Sequence, residues 1–280
     1  MASPISPVSG ISAALFATFF PSECHVCGAP LINISRLPVC GECLADVRPA
    51  GEGVCSLCGQ RLLSPHAFAR QDGEPVCGLC RRLIPPFEKA AAYGSDDGGL
   101  RELIHLLKDE LVRPAANVLG RMLAEVVAGF ATGMAGDSVL VVPVPLHAKT
   151  LRQRGFNQSE LIARTALKLL SDDRFVLRAD LLQRKRETRS QTGLSGPERR
   201  DNIRGAFAVT NAQDLGGSVV LLVDDVLTTG TTASECARIL RRAGAARVWV
   251  AIVARTLKLD VARAERLEED DARLAMAAHG

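Results

Sequence analysis

The sequence predicts an α/β domain with a mostly parallel sheet, preceded by a small cysteine-rich module. Beyond Ala90, short apolar runs alternate with segments of helical periodicity, as in parallel strands joined by crossover helices. Before residue 85 the chain is instead rich in Cys, Gly and Pro, and Pro85-Pro86 then prevents a helix from continuing. We therefore expect a cysteine-rich module over residues 20–85, an α/β domain over 90–256 and a polar tail over 257–280.

Hydrophobic periodicity predicts the individual elements. One helix presents an apolar face made of Leu100, Leu103, Ile104 and Leu107. Further helices are predicted over residues 115–130, 158–170 and 232–243, and buried strands over 139–142, 219–223 and 247–253. Residues 11–20 are predicted to form a short helix, and the acidic tail either a polar helix or a frayed end.

Composition excludes several classes of protein. Among 280 residues, 47% are apolar and 23% charged, which is typical of a globular chain and not of a disordered or fibrous one. No apolar run approaches the roughly 20 residues of a membrane span, and the start lacks the basic residues of a signal peptide. We expect a cytoplasmic protein whose thiols are reduced and available for metal.

The cysteines predict two metal sites. Eight of the nine form four C-x-x-C pairs, with spacings C-x2-C-x12-C-x2-C and C-x2-C-x18-C-x2-C. Zn²⁺ prefers four thiolates in tetrahedral geometry, and a filled site of this kind has no open position for catalysis. The pattern predicts two structural zinc ions held by Cys24, Cys27, Cys40, Cys43, Cys55, Cys58, Cys77 and Cys80. Redox-active thiols, buried thiols and an iron–sulfur cluster are the alternatives. The spacing leaves the pairing of the ligands open, although we favour sequential pairing; His25 and His66 are interpreted as solvated.

A ligand site is predicted where the second buried strand ends. Four apolar residues lead into Asp224 and Asp225, and a Thr/Gly turn then opens a helix. Ligands bind at the carboxyl ends of strands in open α/β sheets, and the start of a helix favours a phosphate. Because carboxylates accept hydrogen bonds from hydroxyl groups, the combination indicates a sugar phosphate.

This segment resembles the 5-phosphoribosyl-1-pyrophosphate loop of type I phosphoribosyltransferases. With the cysteine module, the sequence also resembles the ComF family of competence-associated proteins over about residues 20–255. The other matching motifs are PVPL at 143–146, RGFNQ at 154–158, and the run from Gln191 through RRDN at 199–202 to GAF at 205–207. The resemblance implies a double zinc ribbon, a type I phosphoribosyltransferase fold and a link to DNA uptake in natural transformation.

The resemblance also implies roles for individual residues. Asp224 and Asp225 would bind the ribose hydroxyls, and residues 142–146, including Val144 and Pro145, would form the pyrophosphate loop. The 5′-phosphate would be bound by Thr228, Thr229, Gly230, Thr231 and Thr232. Mg²⁺ would be carried mainly by the ligand's own oxygens.

The transfer reaction stays open. Purine-salvage members have an acid where Thr228 stands, whereas orotate and amido-transferring members have a hydroxyl there. Residues 1–90 are occupied by the cysteine module and not by a glutaminase-type domain that would supply ammonia. The sequence therefore supports binding of phosphoribosyl pyrophosphate better than any particular transfer reaction, and no residue is assigned a catalytic role. Three functions are considered: a ligand-binding protein of DNA uptake, an active phosphoribosyltransferase of nucleotide metabolism with unknown acceptor, and a DNA-binding adaptor with a vestigial ligand site.

Charge is unevenly distributed along the chain. The net charge is only +3, but residues 146–205 hold 14 Lys and Arg against 7 Asp and Glu. Residues of this segment could close over the pyrophosphate. The candidates are the cations Arg154, Arg199 and Arg200 and the neutral residues Asn157 and Gln158. The cations, including Arg184, Lys185 and Arg186, could instead bind single-stranded DNA through its phosphates, or form an ordinary solvated face. Proteins of the competence machinery are further candidate partners.

Single residues elsewhere carry weaker signals. Lys108 either complements a helix dipole or contacts a ligand, and the role of His147 is equally open. We interpret His105 as a core residue, Cys236 as a buried inert thiol and Trp249 as part of the core.

Overall fold

The structure is a computed structural model, and it describes residues 22–31, 36–51, 53–62, 73–130, 133–134, 138–188 and 196–256. The predicted helix over 11–20, His66, Gln191 and the tail over 257–280 lie outside the described residues.

A five-stranded parallel sheet forms the centre of the larger domain, in the order β1-β7-β6-β2-β3. Its strands are β1 (Lys89–Ser95), β2 (Val139–Pro143), β3 (Phe175–Leu177), β6 (Val219–Leu227) and β7 (Arg247–Arg255). A separate antiparallel pair joins β4 (Leu182–Arg184) to β5 (Phe207–Val209). The predicted parallel α/β fold is therefore confirmed.

Eight α-helices lie in the described residues. They are α1 (Gly41–Ala45), α2 (Gly78–Arg82), α3 (Gly98–Lys108), α4 (Ala115–Ala128), α5 (Ala148–Arg154), α6 (Gln158–Leu170), α7 (Gly196–Ile203) and α8 (Thr231–Arg242). A 3₁₀ turn covers Ala212–Leu215. The helix predicted over 158–170 has those bounds, and the helices predicted over 115–130 and 232–243 agree within two residues.

Both faces of the sheet are covered. Leu103, Leu119 and Ile162 of helices α3, α4 and α6 pack on one face. Cys236 and Leu240 of α8 pack on the other face, together with Phe207 of β5. Strands buried on both faces read as continuous apolar runs, which is why β2 and β6 could be recognised in the sequence.

Strand β6 is longer than predicted. It extends through Asp224 and Asp225 to Leu227 because its last residues still pair with β7, Val226 with Ala254 and Leu227 with Arg255. The neighbouring β2 ends at Pro143, opposite Val223. The two acids therefore lie beyond the end of β2.

The cysteine module packs against this domain. The N–H of Ala90 in β1 donates to the carbonyl of Leu57 at 2.7 Å. Cys24 packs in the same hydrophobic core as the apolar face of helix α3. At the end of β7, Arg255 donates to Gln60 Oε1 at 3.3 Å and to Cys58 Sγ at 3.5 Å. The Arg255 contacts join the module to the carboxyl end of β7, next to the strand that carries the acid pair.

Candidate functional site

The eight cysteines form two groups of four that follow the order of the chain. The groups are Cys24, Cys27, Cys40 and Cys43, and Cys55, Cys58, Cys77 and Cys80, with all sulfur atoms of a group within 4.8 Å of one another. Cys27 Sγ lies 3.8 Å from Cys40 Sγ, and Cys58 Sγ lies 3.7 Å from Cys77 Sγ. Zn–S bonds of about 2.3 Å in a tetrahedron place sulfur atoms about 3.8 Å apart. Both groups fit a structural zinc ion, and the sequential grouping agrees with the favoured one.

Local structure around each cluster holds the sulfur atoms in place. Cys40 and Cys77 precede helices α1 and α2, and their Sγ atoms accept backbone N–H groups of Cys43 and Cys80, each at 3.4 Å. In the knuckles, Gly28 and Gly59 have φ of 72° and 67°, which β-carbon-bearing residues rarely adopt. The second cluster is buried, and Arg255 places a positive charge beside its thiolates.

The two residues of the acid pair, Asp224 and Asp225, contact different side chains. Asp224 accepts a hydrogen bond from Ser159 Oγ at the start of α6, with 3.0 Å between the oxygens. Asp225 is buried, and its Oδ2 lies 2.8 Å from Lys108 Nζ at the end of α3. Strand alternation directs adjacent side chains to opposite sides, so only Asp225 meets the ammonium group directly.

This difference affects protonation. Burial, and then the charge of Asp225, raise the pKa of Asp224 to about 7, against opposing contributions from Lys108 and Ser159. Burial lowers the pKa of Lys108, but the negative charges of Asp225 and Asp224 outweigh it, so the net shift is upward. The site therefore holds a carboxyl group that exchanges its proton near neutral pH beside a fixed ion pair.

Residues 228–232, which we call the threonine loop, connect the acid pair to helix α8. Gly230 precedes the helix with φ of 76°, in the left-handed region. Thr229 and Thr231 face each other with 2.7 Å between their hydroxyl oxygens. Because the first N–H groups of an α-helix have no intrahelical partner, this turn can bind an anion. Thr228 is exposed, and Thr232 lies in the first turn of α8.

The predicted pyrophosphate loop and the RGFNQ motif contact each other beside Ser159. Asn157 donates from Nδ2 to the carbonyl of Val144 at 3.0 Å and accepts the N–H of Ser159 at 3.1 Å. Arg154, the last residue of α5, donates to Oε1 of the buried Gln158 at 2.7 Å. We predicted a binding loop here; in the structure these residues join α5 to α6, and Asn157 positions Ser159. Ligand contacts by Val144, Pro145, Arg154, Asn157 and Gln158 stay predictions.

The remaining basic candidates, Arg184, Arg199 and Arg200, lie on elements other than the α5–α6 junction. Arg184 lies over the Phe207 ring, 5.5 Å from its centroid, and burial lowers its pKa. Arg199 and Arg200 are both on α7. The basic segment is therefore divided between the α5–α6 junction, the β4–β5 pair and helix α7.

A cavity of about 770 Å³ opens beside the threonine loop and includes Thr229, Gly230 and Thr231 in its lining. Five arginines line it, from α7, the residue that follows α7, α8 and the end of β7, and we call it the arginine groove: Arg200, Arg204, Arg238, Arg242 and Arg255. Glu235 also lines the groove and forms an ion pair with Arg238. Apolar residues from the second cysteine cluster and from the segment that follows it also line the groove, and among them Leu83 and Ile84 are strongly exposed. The groove combines positive charge with apolar surface next to the candidate phosphate site.

Sequence analysis missed or misassigned several residues here. Lys108 proves to be the ion-pair partner of Asp225, and Ser159 was not singled out. The interpretation of His105 as a core residue is wrong, because its side chain is 52% exposed and lies near acidic groups. His105 lies four residues from Arg101 and from Asp109, which are both exposed, and residues four apart share one face of a helix. This spacing could have placed His105 on the exposed face. The predicted burial of Cys236 is confirmed, and His147 caps helix α5.

Within the described residues, no helix combines the length and apolarity that crossing a membrane requires.

Comparison with protein families gives two matches. The model described as "Double zinc ribbon domain" matches residues 15–81, and the model described as "Phosphoribosyl transferase domain" matches residues 159–275. With the two four-cysteine clusters and the parallel sheet, these matches define the class: a double zinc ribbon joined to a phosphoribosyltransferase domain.

Curated relatives identify the family. "DNA utilization protein YhgH" of Salmonella typhimurium is 31% identical over 239 residues, covering 85% of this chain and 98% of that protein. "Competence protein F" of Haemophilus influenzae is 28% identical over 219 residues, covering 75% of this chain and 94% of that protein. "Competence protein ComFC" of Bacillus subtilis is 24% identical over 208 residues, covering 74% and 80%. The chain belongs to the ComF family of competence and DNA-utilization proteins, as the sequence motifs indicated.

Proposed function

We propose that this protein binds 5-phosphoribosyl-1-pyrophosphate together with Mg²⁺ at the carboxyl edge of its sheet, and that this binding serves the uptake or use of DNA. The observation that carries the proposal is the continuous strand–turn–helix in which Asp224 and Asp225 precede the threonine loop. The names of the curated relatives support the connection with DNA.

Each part of the ligand has a matching group in the site. The N–H groups at the start of α8 and the hydroxyls of Thr229 and Thr231 would bind the 5′-phosphate. The ribose hydroxyls would donate to Asp224 and Asp225, since carboxylates accept strong charge-assisted hydrogen bonds. Mg²⁺ would offset the charge of the pyrophosphate and be held mainly by the ligand's own oxygens.

Ser159 and Lys108 would act as positioning residues in this arrangement. Ser159 holds Asp224 from the side of α6, and Lys108 holds Asp225 from the side of α3. Both carboxylates are therefore oriented before a ligand arrives, which reduces the ordering cost of binding. The groups described here support binding of the ligand and do not identify an acceptor for its transfer.

Calorimetric titration of the zinc-loaded chain tests the proposal. The complete ligand with Mg²⁺ should bind to one site per chain, and ribose 5-phosphate and pyrophosphate, titrated separately as controls, should each bind more weakly. Absence of binding by the complete ligand, or binding equal to that of pyrophosphate alone, would contradict the proposal.

A second candidate function is binding of single-stranded DNA in the arginine groove. Positive charge and apolar surface lie together there, which suits the phosphates and the bases of a single strand. Arg184 is a poor candidate for this role because it is packed on Phe207.

Salt dependence tests this candidate. Charge reversal at Arg200 and Arg204 should weaken DNA binding and lower the slope of log K against log salt by about 0.7 for each lost phosphate contact. Reversal of Arg101 and Arg121, exposed on α3 and α4, is the matched control. Equal effects of the two double variants would refute the assignment to the groove.

A further inference from the structure

A mixed group of histidine and glutamate side chains lies where the first cysteine cluster meets helix α3. His25 comes from the knuckle between Cys24 and Cys27, Glu102 and His105 from α3, and Glu110 from the turn that follows it. All four side chains are partly exposed, between 26% and 52%, so a solute can reach them. None belongs to the candidate ligand site described above.

Two histidine nitrogens approach a shared pair of glutamate oxygens in this group. His25 Nδ1 lies 3.5 Å from Glu102 Oε1 and 3.6 Å from Glu110 Oε1. His105 Nδ1 lies 3.4 Å from the same Glu110 oxygen and 4.0 Å from the same Glu102 oxygen. Ligand atoms of His25, Glu102 and Glu110 all lie within 4.8 Å of one another, whereas His105 is outside this group of three although its Nδ1 approaches both glutamates. Zinc bonds to nitrogen and oxygen of about 2.0–2.2 Å place tetrahedral ligands about 3.3–3.6 Å apart, close to three of the four measured distances.

A protonated imidazole between two carboxylates is the simpler explanation of such a group, but two features favour a metal ion. Both histidines direct Nδ1 to the same pair of oxygens, so a cation between the two glutamates would take His25, Glu102 and Glu110 as ligands and would gain His105 as a fourth through a small shift of its exposed side chain. The other nitrogen of His105, Nε2, lies 3.7 Å from Asp109 Oδ2. A carboxylate on the far nitrogen of a histidine is the usual outer partner of a zinc ligand, because it orients the ring and increases its basicity.

We propose that His25, His105, Glu102 and Glu110 form a third metal site, for Zn²⁺ or a similar borderline divalent cation. Imidazole and carboxylate donors suit such ions, and the absence of thiolate among these four donors distinguishes the site from the two cysteine clusters. Because its ligands come from the zinc ribbon and from α3, the bound ion would join the two domains. His105 precedes Lys108 by one helical turn, so the ion would also fix the helix end that supports Asp225.

Metal content and cobalt absorption of the full chain test the proposal. With zinc in the cysteine clusters, added Co²⁺ should give ligand-field absorption of a nitrogen and oxygen site, without a thiolate charge-transfer band. His105→Ala and Glu110→Gln should weaken this binding at least tenfold and leave two zinc ions per chain in place. Asp109→Asn should weaken it by about tenfold, the usual effect of losing an outer partner.

Glu125→Gln, an exposed acid on neighbouring helix α4, is the matched control and should bind cobalt as the wild type does. His105 is exposed, so its variant should keep the wild-type circular dichroism and separate loss of metal from loss of fold. The proposal would be overturned if excess Zn²⁺ or Co²⁺ added no third ion to the wild type. It would equally be overturned if His105→Ala and Glu110→Gln bound the third ion as tightly as Glu125→Gln does.

Discussion

The same substitution at two adjacent residues should change the stability of this protein in opposite directions. Asp224→Asn removes a carboxyl group whose pKa is raised to about 7 by burial and by the charge of Asp225. Asp225→Asn instead removes the anion that pairs with Lys108 at 2.8 Å. Asparagine has nearly the volume of aspartate, so charge is the main difference in both variants.

The magnitude for Asp224 follows from linkage. An acid whose pKa is higher in the folded chain stabilises the fold fully below its unfolded pKa, and this contribution is lost as pH rises through the folded value. A folded pKa of about 7 against the ordinary 3.8 corresponds to at most about 4 kcal/mol. Because the side chain is partly exposed, we expect about half of this. Asp224→Asn should therefore be about 2 kcal/mol more stable than the wild type at pH 8, and the gain should disappear between pH 7 and pH 4.

Asp225→Asn should be destabilised. It leaves the Lys108 ammonium, only 24% exposed, without its partner. Breaking a buried ion pair costs about 3–5 kcal/mol, and the partial exposure of Lys108 reduces the expected loss to about 2–3 kcal/mol. The Lys108 ammonium stays in the variant without a partner. We expect the free energy lost in this way to exceed the free energy gained by removing the repulsion between Asp224 and Asp225.

Urea unfolding of the zinc-loaded wild type and both variants, from pH 5 to pH 8, measures these effects. The wild type corrects for any pH dependence of the zinc sites, which all three proteins share. The reasoning would be refuted if both variants shifted stability in the same direction at pH 8. It would also be refuted if the gain from Asp224→Asn were the same at pH 5 and pH 8.

Three further predictions concern metal, the ion pair and protons. Cys58→Ser should lower the zinc content measured by elemental analysis from about two ions per chain to one while phosphoribosyl pyrophosphate still binds, because each site needs four thiolates; iron, or no stoichiometric metal, would contradict the assignment. Adding Lys108→Met to Asp225→Asn should restore most of the stability in urea unfolding, because the unpaired charge is then removed; an additive loss would argue against the ion pair. Binding of the ligand should release a proton near pH 6.5, because Asp224 must ionise to accept from a hydroxyl, and affinity should rise up to about pH 7; equal calorimetric enthalpies in buffers of different ionisation enthalpy would refute this.

The parts of the site that are continuous in the sequence could be predicted from it. The acid pair, the threonine loop and both cysteine clusters each lie within one strand–turn–helix or one run of C-x-x-C pairs, so spacing was sufficient to recognise them. The partners Lys108 and Ser159 could not be recognised in this way. They reach the acid pair from helices α3 and α6, and the sequence does not specify how those helices pack against the strand.

Short elements were also beyond sequence analysis. Strands β4 and β5 contain three residues each, too few for a period of two to be distinguished from chance. The arginine groove combines residues from the zinc module, α7, the threonine loop and α8, so no single segment indicated it. The misassignment of His105 has a different cause. Although Ile104 belongs to the buried apolar face of the helix, the next residue is turned about 100° around the helix axis and lies on the exposed side.

The affinity of Asp224→Asn for phosphoribosyl pyrophosphate with Mg²⁺ at pH 8 tests the central claim most directly. This variant should be more stable than the wild type, so weaker binding cannot result from unfolding. Losing a hydrogen bond to a charged acceptor costs about 1.5–3 kcal/mol, which corresponds to a roughly 10- to 150-fold higher Kd. That increase, measured by calorimetry beside the wild type, is the result expected if Asp224 binds the ribose. Equal affinity of the two proteins, with the wild type clearly binding, would contradict the assignment of the acid pair to the ligand.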